Sequence, residues 1–180
     1  MTEAATAAEP DFFAVFGVER AYAIERDALE ERYLELSAAA HPDRFAGASA
    51  GERRRAVERA SVINEAYRTL RDPVRRAEYL VKLGGIDLDR TDPERGAPDP
   101  GKAFLIEMIE LREALEEAQG AGVAAVDGLR EQIEARADEA LDAGIDAITA
   151  GDVRGAARHL VVHRYLHRFL DEVDGEHDAG

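Results

Sequence analysis

The sequence predicts an all-α protein: an N-terminal helical hairpin followed by a C-terminal three-helix bundle. Apolar residues recur at spacings of three and four along most of its 180 positions, and no stretch alternates as a strand would. Glycine- and proline-bearing breaks divide the pattern into long helices with short connections, which implies antiparallel neighbours. The expected segments are a disordered N-terminus at 1–10, a hairpin domain at 11–83, a linker at 84–101, a bundle at 102–174 and a tail at 175–180.

In the hairpin, Leu29, Tyr33, Leu36 and Ala40 form one apolar stripe on a helix from about 24 to 40. Pro42 has a fixed φ and no amide hydrogen, and it pushes His41 out of the α region, so this helix ends at about Ala40. His41 then lies at a helix C-terminus, where partial negative charge favours a proton donor. Asp43 either holds the reversal through backbone amides ahead of it or presents a free carboxylate to a cation on another protein. A second stripe, Ala56, Ala60, Ile63, Tyr67 and Leu70, predicts a helix from about 52 to 70, which Pro73 ends. Read alone, His41-Pro42-Asp43 is a helix-ending turn; between two matched helices it is the exposed tip of a hairpin.

These residues resemble the J-domain family, co-chaperones that stimulate ATP hydrolysis by Hsp70 proteins. Asp11-Phe12-Phe13-Ala14-Val15-Phe16-Gly17 looks like the family's short first helix, and Tyr33 stands where the family keeps an aromatic residue. Ile63-Asn64-Glu65-Ala66-Tyr67-Arg68-Thr69-Leu70 looks like its third helix. The closer resemblance is to the HscB branch, which serves iron–sulfur cluster assembly. Its hallmarks correspond here to Leu70-Arg71-Asp72-Pro73, Arg76-Ala77-Glu78-Tyr79-Leu80 and the run from Phe104 to Glu113.

The resemblance implies an HscA-like Hsp70 as one partner and an IscU-like cluster scaffold protein as the other. It places Hsp70 binding at His41, Pro42 and Asp43, with Arg26, Arg32 and Arg44 as the available cations. One departure stands out. Many J-domains carry a dense basic face on the helix before the HPD, whereas here Arg26 and Arg32 lie among Glu25, Asp27, Glu30, Glu31 and Glu35. Weaker electrostatic docking and an Hsp70 specialised to this chain are expected.

The first bundle helix, about 102 to 119, has a core stripe of Phe104, Met108, Leu111 and Leu115. At 100° per residue, Leu105, Ile109 and Ile106 fall about 100°, 140° and 200° away from Phe104, beside Glu113, Glu117 and Glu110. Periodicity leaves two readings open: Leu105 and Ile109 pack against the hairpin domain, or an apolar strip edged with carboxylates faces a partner. The resemblance favours the second, because this helix carries the family's scaffold-binding surface. Its positions correspond here to Leu105, Ile106, Ile109, Glu110, Glu113 and Glu117, with Tyr165 added from the last helix. The other two bundle helices are expected at about 123–150 and 153–173, the last packing through Val162, Leu166, Phe169 and Val173.

Composition narrows the function further. Apolar residues make up 46% of the chain, enough for a core. The net charge is −15; residues 1–83 hold 13 basic and 15 acidic side chains, and the rest hold 10 and 23. Nucleic acid and anionic membrane surfaces would repel such a chain, while a cationic protein surface suits its second half. There is no cysteine, hence no disulfide, thiolate metal site or cysteine nucleophile. Neither a signal peptide nor an apolar run of membrane-spanning length is evident, so a cytoplasmic location is expected.

No nucleophile motif, phosphate loop or HExxH sequence points to an enzyme or to a cofactor. His159, His163, His167 and Asp171 repeat every four residues on the last helix, about 90° from its core stripe, and are expected to be accessible. Ligands at such spacing can chelate a metal, although solvated histidines are the commoner outcome. The main expectation is a two-site adaptor that stimulates an Hsp70 and brings it the scaffold protein. The alternatives are a J-protein for another client and a helical metal-binding protein using the histidine stripe.

Overall fold

The computed structural model describes residues 10–177 and divides the chain into two compact units, Met1–Arg76 and Ala77–Gly180. The disordered segment expected at 1–10 lies almost wholly outside the described residues. Every regular element described is helical.

The N-terminal unit contains α1 (Phe12–Phe16), α2 (Arg26–Ala40), a 3₁₀ turn (Pro42–Phe45) and α3 (Ala50–Arg71). The Asp11 carboxylate accepts the Phe13 amide at 3.0 Å to start α1, and Gly17 ends it at φ 68°, a conformation open to glycine. Phe13 and Phe16 are thereby driven into the core with Leu29, Ala40, Ala56, Ile63, Ala66 and Leu70. Ser49 and Glu52 form a reciprocal capping box that starts α3 two residues ahead of the expected position. The helices of the hairpin meet through Tyr33 and Tyr67, whose rings stack at 4.0 Å, and the Tyr33 hydroxyl donates to Asn64 Oδ1 at 2.9 Å.

The chain crosses into the second unit within α4 (Pro73–Leu83), and α5 (Lys102–Ala121), α6 (Val123–Thr149) and α7 (Val153–His177) follow. Helix α7 runs past Val173 into the segment expected as a tail. The bundle core joins Phe104, Leu115 and Ala118 of α5, Leu129, Ile133, Ala137 and Ala140 of α6, and Val162, Leu166, Phe169, Leu170 and Val173 of α7. Met108 and Leu111 pack against it half-buried, completing the expected α5 stripe.

Residues 84–101 form no helix, yet they are folded. Ile86 and Leu88 are buried, and Asp87 and Ala97 amides donate to the Arg95 and Arg90 carbonyls at 2.7 and 2.8 Å. A Cβ on Gly84 would lie 2.6 Å from Val153 Cγ1, so only glycine permits α4 to end this close to α7. Arg164 of α7 reaches back to Glu78 of α4, the Leu88 carbonyl and Asp89, fastening α4 and the loop to the bundle.

Candidate docking sites

The HPD turn is built by its own backbone chemistry. Helix α2 stops at Ala40, His41 is extended at φ −61° and ψ 128°, and Pro42 opens the 3₁₀ turn. The Arg44 amide donates to the His41 carbonyl at 3.1 Å, and the Asp43 amide donates to His41 Nδ1 at 3.3 Å. With Nδ1 accepting, the neutral ring carries its proton on Nε2. The side chains of His41 and Asp43 are 60% and 90% exposed. Of the two roles open to Asp43, the carboxylate takes the outward one, with His41 Nδ1 3.6 Å away.

The structure does not gather the basic residues at this tip. Arg44 follows Asp43 directly, but Arg26 begins α2, about 22 Å along the axis from His41 at 1.5 Å per residue. Arg32 is paired with Glu35 at 2.8 Å.

The second surface lies on α5. Leu105, Ile106 and Ile109 are 43%, 46% and 58% exposed. Glu110, Glu113 and Glu117 are exposed beside them, and none forms an ion pair among the described residues. Leu105, Ile109, Glu113 and Glu117 make a single ladder at four-residue spacing. Neighbouring charges are consumed instead: Glu107 pairs with Arg136 at 3.0 Å and Arg112 with Glu172 at 3.1 Å. Tyr165, 39% exposed on α7, packs edge-on against Phe104 at 5.8 Å, which brings it to the α5 surface.

The histidine stripe differs from the expectation of accessibility. His159 and His167 are exposed, but His163 is only 4% exposed and its Nδ1 has no hydrogen-bond partner. Burial, then the His167 ring 4.4 Å away, lowers its pKa below the ordinary histidine value. The flank that single-helix periodicity leaves open is covered, and the carboxylates of Glu78 on α4 and Asp138 on α6 lie within electrostatic reach. Among the described residues no group of three or more His, Asp or Glu side chains is placed to hold a metal ion.

Residues 11–79 match the DnaJ domain model, and residues 101–174 match the model described as the HSCB C-terminal oligomerisation domain. The chain is similar over 94% of its length to chaperone HscB from Vibrio cholerae, with 30% identity, a TM-score of 0.76 and 99% of that chain covered. The chain belongs to the HscB family. Human co-chaperone HscB is similar over 96% of the chain and 84% of its own, with 29% identity and a TM-score of 0.78. The co-chaperone protein HscB homolog of Cupriavidus taiwanensis is 48% identical over 108 residues, which span 60% of this chain and 59% of that relative. A homolog from Neisseria meningitidis is 45% identical over 108 residues, 63% of its length. The two ends of this HscB-family chain are accordingly a J-domain and an HscB-type C-terminal domain, joined in an all-α fold.

Proposed function

We propose that this chain is a non-enzymatic co-chaperone of iron–sulfur cluster assembly. Its HPD turn stimulates the ATPase of a specialised, HscA-like Hsp70, and its α5 surface delivers an IscU-like scaffold protein to that chaperone. The observation that carries the reading is the His41-Pro42-Asp43 turn, held by local hydrogen bonds at the tip of the α2–α3 hairpin with His41 and Asp43 turned to solvent. The exposed Leu105, Ile106 and Ile109, edged by Glu110, Glu113 and Glu117 and joined by Tyr165, suit reversible docking of a cationic, partly apolar client. The working boundaries are 11–83 for the Hsp70-directed part and 102–174 for the client-directed part. Arg44 is the cation best placed to assist the HPD; Arg26 and Arg32 act further along α2.

Joining two weak sites in one chain raises the local concentration of client at the chaperone, so stimulation should be greater with scaffold present. No described helix is long and apolar enough to cross a membrane, in keeping with work in the cytoplasm. The test is the steady-state ATPase of the Hsp70 with the full chain, with and without scaffold protein. Stimulation by the chain alone and a further rise with scaffold are expected. No stimulation in either case would refute the reading.

A further inference from the structure

The surface formed by α5 and α7 carries charge of both signs, sorted across its width. Arg112 of α5 pairs with Glu172 of α7 and Glu107 with Arg136 of α6, which tells which flank of α5 adjoins each neighbour. At 100° per residue from Phe104, Arg112 falls at about 80° and Glu107 at about 300°. Between them come Leu105 and Ile109 at about 100° and 140°, then Glu113, Ile106, Glu117 and Glu110 from about 180° to 240°. The apolar ladder therefore adjoins α7, and the carboxylates lie toward α6. On α7 the Tyr165 ring meets Phe104, and Arg168 falls about 60° beyond Tyr165 on the side opposite the core stripe of Val162, Leu166, Phe169 and Val173. Across the surface the order is carboxylates, apolar side chains, tyrosine, arginine.

Arg168 is exposed, its guanidinium lies 5.9 Å from the Tyr165 ring centre, and it forms no ion pair among the described residues. The carboxylates around it are engaged elsewhere: Glu172, one turn on, is held by Arg112, while Glu78 and Asp89 are held by Arg164. The contact with Tyr165 orders a flat guanidinium whose N–H edges stay free, so little freedom is left to lose when an anion arrives. We infer that Arg168 is a specificity-determining residue of this surface and binds a carboxylate on the client protein. This rests on the client reading of α5 and sharpens it. The client face then carries basic groups opposite Glu110, Glu113 and Glu117, and an acidic group on the other side of its apolar centre. A client docked half a turn around meets like charges on both sides, so the two signs fix its orientation. Long-range attraction makes the opposite demand. Residues 84–180 hold 10 basic and 23 acidic side chains, so loss of any one cation strengthens their pull on a cationic client. The sign of the effect at Arg168 thus separates a contact from steering, with Lys102, exposed at the start of α5, as the comparison.

The test measures binding of metal-free IscU-like scaffold protein to the full chain by calorimetry. Arg168→Met, which keeps the apolar stem and drops the charge, should raise Kd about fivefold, and Arg168→Glu about twentyfold. Lys102→Met should tighten binding or change it by less than about twofold. All three should keep the wild-type circular dichroism spectrum and the stimulation of Hsp70 measured without scaffold. Among scaffold variants with one exposed Asp or Glu changed to Lys, one should weaken binding to the wild type and restore binding to the Arg168→Glu chain. Unchanged or tighter binding by Arg168→Met, or the absence of any restoring scaffold variant, overturns the inference. If Leu105→Ala with Ile109→Ala weakens binding while the Arg168 variants bind as wild type, the role of Arg168 is wrong and the client reading stands. A wild-type chain that binds no scaffold removes both.

Discussion

Arg164 of α7 donates to the Glu78 carboxylate of α4, and the two residues lie 86 positions apart in the sequence. The same guanidinium reaches the Leu88 carbonyl at 3.2 Å and Asp89 at 2.9 Å. Its side chain is 30% exposed and that of Glu78 20%, so the bond is shielded from competing water. The hydrogen bond to Glu78 raises the Arg164 pKa further above its ordinary value, against the opposing effect of burial. One side chain thus fastens both α4 and the loop after it to the C-terminal bundle.

Replacing Arg164 by alanine leaves Glu78 partly buried without its cation. We expect a loss of about 1–3 kcal/mol, the usual cost of orphaning such a group. Urea unfolding of the full chain followed by circular dichroism measures it. Arg164→Lys, which keeps the charge but loses the fork, should fall between the two, and an unchanged midpoint for Arg164→Ala would remove the fastening role.

His41→Gln preserves a polar side chain at an exposed position, so its stability should lie within about 0.5 kcal/mol of the wild type. Stimulation of the Hsp70 ATPase should disappear. A folded variant that still stimulates fully would separate the HPD from the activity.

On α5, Leu105→Ala combined with Ile109→Ala should weaken scaffold binding by about 1–3 kcal/mol, the scale of apolar side chains that anchor an interface. Reversing Glu110 and Glu113 to lysine should chiefly slow association and flatten its salt dependence, read by surface plasmon resonance at several ionic strengths. Hsp70 stimulation without scaffold should not change. Equal loss in both assays would indicate unfolding and move the client site elsewhere.

The buried His163 makes stability depend on pH. Its folded pKa is lowered, first by burial and then by His167, so the unfolded chain binds the proton more readily. This contribution is fully favourable above the ordinary histidine value near 6.5 and is lost as pH falls below it. The groups facing it are His167 and Arg164 on α7, Glu78 on α4 and Asp138 on α6. The wild-type urea midpoint should drop between pH 7.5 and 5.5 by more than that of His163→Leu. Parallel behaviour of the two proteins would assign the pH dependence to other groups.

Helical order, the HPD turn and the core stripe of α5 were legible in the sequence, because each depends on residues within a few positions of one another. Pro42 ends a helix wherever it stands, and a stripe at three- and four-residue spacing specifies the face its own helix buries. What lies against the remaining faces is a matter between elements distant in the chain, and only the tertiary structure decided it. His163 appears on an open flank of α7 until the side carrying Glu78 and Asp138 is covered. Gly84 is an ordinary turn residue until Val153 arrives 2.6 Å from where its Cβ would be. A groove bounded by Leu34, Arg68 and Arg71 exists because two helices cross at the Tyr33–Tyr67 stack, and neither helix alone encodes a space between them. Local periodicity governs a helix's own burial, whereas contacts between separate helices follow from how they pack, which no single stripe contains.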